Sequence, residues 1–191
     1  MNLYIMRHGT TRYNELGISQ GRLNNRLSKA GVELVEKAAF EAKDIPFEII
    51  YSSPLMRTMQ TANIVNHYHK VKIIKDERLT EIDQGIFTGR KYSTLTPEEK
   101  ALKDARAPGT QMEQSYEVYD RACNFLIELK KTCKYSNVLI VTHDHVATCL
   151  ETFIKTGSTK YDKTNIISDF KNAQIKKFVY YKKLNSNRYY L

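Results

Sequence analysis

An α/β fold of three layers, a mainly parallel sheet with helices on both faces, is predicted by three features of the chain. Short apolar runs alternate with stretches of helical periodicity, which is the order that βαβ units produce. Two of these runs, Leu3-Tyr4-Ile5-Met6 and Val138-Leu139-Ile140-Val141, are apolar throughout, as strands covered on both faces are. The length of 191 residues and a composition of 41% hydrophobic and 27% charged residues, with 8 Gly and 4 Pro, suit one domain over 1–191 and exclude disordered, collagenous and coiled-coil classes.

The elements follow in order. Leu3–Met6 is the first strand, stopped by a polar cluster. Ser28 caps a helix whose Val32, Val35, Ala38, Ala39 and Ala42 form an inward stripe. Phe47–Tyr51 is the second strand, and Pro54 is placed to open a helix reaching about residue 66. Val71–Ile74 is the third strand. Residues 88–112, with Thr94, Pro97, Pro108 and Gly109, make a polar, lid-like excursion from the main layer. A long helix from Ser115 to Cys133 leads into the strand Val138–Val141, and a helix from His145 to Lys155 follows. The region from Ala173 to Lys182 reads as an exposed strand. No internal repeat or low-complexity tract interrupts the series.

The formal net charge is +9, and most of the excess is C-terminal: from Lys155 onward nine basic side chains face two acidic ones. Tyr161, Tyr180, Tyr181, Tyr189 and Tyr190 lie among those charges, so base stacking is one reading. A lysine-protected edge strand is the favoured one, and nucleic acid is not the expected partner. No apolar run reaches the roughly 18 residues of a membrane helix, and the N-terminus has no basic region followed by an apolar stretch. Cys123, Cys133 and Cys149 are odd in number and lack CxxC spacing, which suits a reduced, cytoplasmic protein.

In parallel sheets ligands bind beyond the carboxyl ends of the strands. Both fully apolar strands run into histidine there: Leu3–Met6 into Arg7-His8-Gly9, and Val138–Val141 into Thr142-His143-Asp144. The segment Arg7-His8-Gly9-Thr10-Thr11-Arg12-Tyr13-Asn14 resembles the RHGxTxxN signature of the histidine phosphatase family, also called phosphoglycerate mutase-like. Further segments resemble the family in its own order. They are Gln20-Gly21, Leu27-Ser28-Lys29-Ala30-Gly31, the arginine element Ser52-Ser53-Pro54-Leu55-Met56-Arg57-Thr58-Met59-Gln60-Thr61-Ala62, the glutamate segment Leu79–Gly85 with Gly89 beyond it, and Val141-Thr142-His143. The likeness covers about residues 1–180 and implies a phosphoglycerate mutase-like fold.

It also implies roles that chemistry supports. Guanidinium forks match phosphoryl oxygens with paired hydrogen bonds, which suits Arg7 and Arg57; taken alone, Arg57 would read as a surface ion pair. A largely neutral imidazole can attack phosphorus without a separate base, so His8 is the expected nucleophile, forming a phosphohistidine. His143 and Asn14 would add donors for the transition state. Glu81, its pKa raised by an apolar surround, would protonate the leaving oxygen. Gln20, Gly21 and His145 complete the expected substrate contacts, with Arg12, Arg22, Lys91 and the excursion as further candidates. No metal or cofactor is expected. The pairs His143-x-His145 and His67-x-His69 suggest a metallohydrolase only weakly, since neither has a third ligand at motif spacing.

Two departures from the family stand out. Asn24 and Arg26 occupy positions that usually hold aspartate and proline. After His143 a glycine is usual, and Asp144-His145 stands here. The Asp144 carboxylate either faces the pocket, where it repels phosphate unless it turns away or pairs with a cation, or caps the helix that begins with Val146. The helical run Val146, Leu150 and Phe153 favours the cap.

The expected activity is hydrolysis of small phosphorylated metabolites, as in the small cytoplasmic phosphatases that the shorter chain resembles. Mutase-type phosphoryl transfer is the alternative; against it, 62 positions separate Glu81 from His143, Gln84 stands where mutases carry tyrosine, and the insertion has no adjacent arginines. A catalytically dead binder of phosphorylated ligands or nucleic acid is the third reading, and retention of His8, Glu81 and both arginines speaks against it. Composition leaves the natural substrate and a homodimer open.

Overall fold

The computed structural model describes residues 1–166 and 169–180. Among them, β1 (Asn2–Arg7), β2 (Ile49–Ser52), β3 (Lys72–Lys75), β4 (Asn137–Thr142) and β5 (Ile175–Val179) form one sheet in the order β3-β2-β4-β1-β5. The first four strands pair in parallel, and β5 runs antiparallel along β1. The helices are α1 (Arg12–Leu16), α2 (Lys29–Glu41), α3 (Met56–His69), α4 (Pro97–Asp104), α5 (Ser115–Thr132) and α6 (Asp144–Thr156).

The three layers follow from the period-2 alternation of strand side chains. Leu3, Ile5, Ile49, Val138 and Ile140 turn to one face and pack with Val118, Ala122, Phe125 and Leu126 of α5 and Val146 and Leu150 of α6. Their neighbours Tyr4, Met6, Ile50, Leu139 and Val141 turn to the other face and meet Val35 and Ala39 of α2 and Ala62 and Val65 of α3. Strands apolar at every position are therefore needed at the centre of the sheet, and the two continuous apolar runs occupy it.

Local signals account for most boundaries. Ser28 caps α2, its Oγ accepting from Gly31 N at 3.1 Å. Pro54 lies outside α3, which starts at Met56 and ends at His69; Asn24 Oδ1 accepts from Met56 N at 2.6 Å and does the capping there. The excursion holds a helix that its polarity concealed: Thr96 and Glu99 form a reciprocal capping box with Pro97 at the first position of α4. At the C-terminal edge, Tyr161 stacks edge-on against Tyr119 and Tyr180 packs on the main core under Lys130. Those two rings are built into the fold, which favours the edge-strand reading; Tyr181, Tyr189, Tyr190 and the end of the expected strand lie outside the described residues.

The loop after β1 is clamped against α2. A Cβ on Gly31 would overlap the carbonyl oxygen of Thr10, and one on Gly9 would stand 2.8 Å from the Gly31 carbonyl. Alanine in a helix gains up to about 1 kcal/mol over glycine, but overpacking costs about 1–3 kcal/mol. The overlap with rigid backbone should win. Gly31→Ala is expected to lower the urea midpoint by the equivalent of about 1–2 kcal/mol; a higher midpoint would show that the loop can move aside.

Candidate active site

The parallel register pairs Arg7 with Thr142, so β1 and β4 end level. His8 N donates to the Thr142 carbonyl at 2.9 Å, and the His8 and His143 rings lie side by side with centroids 5.2 Å apart at 64°. Both histidines are buried. This is the crevice where the strand order reverses: the chain moves from β1 out to β2 and β3 before returning to insert β4 beside β1.

His8 Nδ1 lies 2.7 Å from the Gly9 carbonyl, so the proton sits on Nδ1 and Nε2 carries the lone pair. Burial, together with the charges of Arg57 and Arg7, holds the His8 pKa well below the ordinary imidazole value and keeps the ring neutral. His143 Nε2 lies 2.9 Å from Ser53 Oγ. Burial, then Arg57 and His8, depress its pKa too. Nδ1 of His143 is buried and has no partner among the described residues.

Arg57 rises from the second residue of α3 and is 1% exposed. Nη1 donates to the Leu23 carbonyl at 2.7 Å and to Asn25 Oδ1 at 3.0 Å, and Nη2 to the Gly21 carbonyl at 2.9 Å. Its Nε, like that of Arg7, is buried with no partner among the described residues. Burial pulls the Arg57 pKa down to about 10, with Glu81 opposing that shift. Arg57, held by neutral acceptors alone and left with an orphaned N–H, is costly unless an anion completes it.

Glu81 comes from the loop after β3. Thr142 Oγ1 donates to the Leu79 carbonyl at 2.7 Å, tying this loop to the end of β4, while Arg121 Nη1 donates to the Arg78 carbonyl at 2.7 Å. Glu81 Oε1 accepts from Ile82 N at 2.9 Å. Burial raises its pKa, and the negative charge of Asp144 acts in the same direction, against Ile82 N, Arg57 and Arg7.

Asn14 and Gln20 sit in one small network. Asn14 Oδ1 accepts from Thr11 N in the capping box of α1, Gln20 Oε1 accepts from Asn25 Nδ2, and the single proton of the Thr11 hydroxyl, 2.9 Å from both oxygens, serves one of them at a time. With both oxygens occupied, the amide nitrogens are the ends left for an anion. Gly21 has φ +49°, and its carbonyl is the one Arg57 uses. The sequence therefore marked a loop whose backbone holds the second arginine.

Several expectations need correction. His145 faces a different set of charges, Arg106, Arg121 and Glu113, and burial with the two arginines lowers its pKa to about 4. Its charged neighbours are those groups rather than Arg7 and Arg57. Asp144 does not cap α6. His143 is the N-cap, and the Asp144 carboxylate lies 3.3 Å from Arg7 Nη1. Arg12 is exposed and paired with Glu15, and Lys91 is exposed. Arg22 does reach the site: Nε donates to the Glu81 carbonyl at 3.4 Å and Nη2 lies 3.1 Å from Glu113. His69 packs on Phe47, and no cluster of three metal-ligating side chains occurs among the described residues.

Sequence reasoning missed Ser53, Asn25, Arg106 and Glu113. Ser53 stood inside a recognised segment and could have been found there. Glu113 carries no local signal, although it joins Arg22, Arg121 and Asp83 N. A concavity of about 590 Å³ lies between α2 and β5, but its lining, which includes Tyr4, Ala42, Ile45 and Ile175, holds no imidazole or guanidinium.

A family model described as histidine phosphatase superfamily (branch 1) matches residues 3–188. Phosphoserine phosphatase 1 of Hydrogenobacter thermophilus is 32% identical over 151 residues, 75% of this chain and 71% of that protein. The solved structure of phosphoglycerate mutase from Bacillus anthracis superposes with a TM-score of 0.75 at 28% identity, covering 93% of this chain and 86% of that one. The α-ribazole phosphatase from Shigella flexneri gives 0.83 at 22% identity over 93% of this chain and 89% of that one, a likeness of fold.

A raised acid pKa in the folded state has a consequence for stability. The folded protein holds the Glu81 proton more tightly than the unfolded chain, so the stability this adds is full below the ordinary glutamate range and is lost as pH climbs through the raised value. Glu81→Gln removes that loss. Scanning calorimetry should find the variant at least as stable as wild type at pH 8, with a flatter fall in thermal midpoint from pH 4 to pH 8. A variant less stable only at pH 8 would mean that Glu81 is held ionised by Arg57.

Proposed function

The chain belongs to the histidine phosphatase superfamily, and on that premise we propose that it is a phosphomonoesterase acting on small phosphorylated metabolites through a phosphohistidine, without a metal ion. One observation carries this reading: a neutral His8 shares its crevice with three buried nitrogens that have no partner among the described residues, the guanidinium donors Arg7 Nε and Arg57 Nε and the imidazole Nδ1 of His143. Such donors match a dianion, and the histidine beside them supplies a nucleophile.

The phosphate dianion binds among Arg7, Arg57, His143, the amides of Asn14 and Gln20 and the first-turn N–H groups of α6. His8 Nε2 attacks phosphorus as the ester P–O bond breaks, and Glu81 gives its proton to the departing oxygen. The ionised Glu81 then takes a proton from water, which attacks phosphorus and releases His8. Charge growing on the phosphoryl oxygens meets donors already fixed in place, so little reorganisation is needed.

Hydrolysis is favoured over mutase-type transfer by the state of the excursion. A mutase needs cations held ready for a second acidic group. Lys103 Nζ instead donates to Gln84 Oε1 at 2.7 Å, and Arg106 Nη1 to the Glu113 carbonyl at 2.9 Å. The named phosphoserine phosphatase relative supports the same choice. Three free, buried cysteines fit a reduced compartment, and we place the enzyme in the cytoplasm. No helix among the described residues is long and apolar enough to cross a membrane.

His8→Ala should lower turnover of p-nitrophenyl phosphate by several orders of magnitude. Acid quench with labelled substrate should trap an acid-labile phosphoenzyme in wild type and none in the variant, and EDTA should leave the wild-type rate unchanged. Robust turnover by His8→Ala would reassign the nucleophile, and EDTA sensitivity would favour metal chemistry.

The rate needs His8 neutral and Glu81 protonated. The depressed His8 pKa sets the acid limb below the usual imidazole range, and the raised Glu81 pKa sets the alkaline limb above the usual glutamate range. We expect a bell-shaped kcat/KM profile with its optimum on the acid side of neutrality. Glu81→Gln should remove the alkaline limb and slow alkyl phosphates far more than p-nitrophenyl phosphate, whose leaving group departs without a proton. Equal slowing of both substrates would assign Glu81 a structural role.

A further inference from the structure

Asp144 stands where the family usually has glycine, and both of its oxygens are engaged. Oδ2 lies 3.3 Å from Arg7 Nη1, and Oδ1 accepts from Phe170 N at 3.4 Å. Arg7 Nη1 also donates to the Phe170 carbonyl. The end of β1, the first turn of α6 and the segment before β5 are thus closed into one bracket around the guanidinium. That bracket occupies the outer edge of Arg7 and leaves its buried Nε without a partner. The carboxylate is 44% exposed, so it stands at the rim of the crevice. Both oxygens are held by the protein, which disfavours a direct grip on substrate.

We propose that Asp144 is a positioning residue that tunes the phosphate site through Arg7: by holding Nη1 at the rim it withholds part of that guanidinium's charge from the phosphoryl group and so weakens ground-state phosphate binding, which lets product leave. This rests on the phosphatase reading. A glycine in its place would leave Arg7 wholly to the phosphate and bind product more tightly. Binding that is equally strong in ground and transition states does not raise kcat, whereas a slowly released product lowers it. The same charge reaches the acid. Glu81 is faced by Arg57 from α3, Arg7 from β1, Arg106 from the excursion, and Asp144 and Cys149 from α6, with Arg22 on its carbonyl. Asp144 is the carboxylate in that set, and it favours the protonated form of Glu81 on which leaving-group departure depends.

The test titrates wild type, Asp144→Asn and Asp144→Gly with inorganic phosphate by calorimetry, and measures kcat, KM and pH profiles with p-nitrophenyl phosphate. Asparagine keeps the shape and an acceptor for Phe170 N, which separates charge from packing. Both variants should bind phosphate roughly three- to ten-fold more tightly, the modest scale of a charge partly in water. KM should fall without a gain in kcat, and the alkaline limb of kcat/KM should move to lower pH. If Asp144→Asn keeps the wild-type phosphate affinity and alkaline limb, the proposal is overturned. Lowered thermal midpoints with unchanged affinity, or loss of folded protein in both variants, would mark a purely structural residue and overturn it equally. Wild type that neither binds phosphate nor hydrolyses the ester would overturn the phosphatase reading itself; wild type that does both, with unaltered variants, overturns only the role given to Asp144.

Discussion

The parallel pairing of β1 with β4 is the constraint on which the site depends. Because Arg7 lies opposite Thr142, the two strands finish level, and the next residue of each is a histidine. A shift of register by one residue would turn every buried side chain to the wrong face. The hydrophobic core that fixes this register, with Leu3, Ile5, Val138 and Ile140 on one side and Tyr4, Met6, Leu139 and Val141 on the other, therefore also fixes the 5.2 Å approach of the two imidazoles. Packing and catalysis share one geometric cause.

Around that pair the protein gathers two arginines and holds them in different ways. Arg57 is buried against three oxygen acceptors, the Gly21 and Leu23 carbonyls and the Asn25 amide, none of them ionised. Dipolar partners hold a guanidinium in place while leaving its charge available, whereas a carboxylate at the same distance would cancel it. Burial first, and then the charge of Arg57, keeps His8 and His143 neutral, as the proposed nucleophile requires. Arg7 differs by having Asp144 on Nη1, so the two arginines are unequal: one is held by neutral acceptors alone, the other shares its charge with a carboxylate.

Glu81, the proposed acid, is held by a separate set of ties. Thr142 fixes the Leu79 carbonyl, Arg121 fixes the Arg78 carbonyl, and Glu113 accepts from Asp83 N. Each tie joins the glutamate loop to a different element, the end of β4, the long helix α5 and the excursion. Loops that carry function need such support from rigid neighbours, since a loop alone does not hold a side chain within the tolerance that proton transfer demands. Glu113 also holds Arg22 at the mouth of the crevice, so a single carboxylate sets both the acid loop and the entrance.

Much of this was legible in the amino-acid order. The continuous apolar runs set the central strands, Ser28 set the start of α2, and the segments around His8, Arg57, Glu81 and His143 marked the chemistry, because strand burial, helix capping and motif spacing are local properties. Boundaries that depended on partners far along the chain were not legible. Pro54 misplaced the start of α3, since the true cap comes from Asn24, and the same distance effect hid the role of Glu113. Asp144 is the sharpest case. Its neighbours in sequence favoured a helix cap, but its side chain meets Arg7, 137 positions earlier, and the backbone of Phe170, 26 positions later. The sequence alone determined which chemical groups are present and which strands carry them to the carboxyl edge of the sheet. Only the tertiary structure decided how those charges are shared, because Coulomb interactions follow distance in space, and that distance is fixed by packing between elements far apart in the chain.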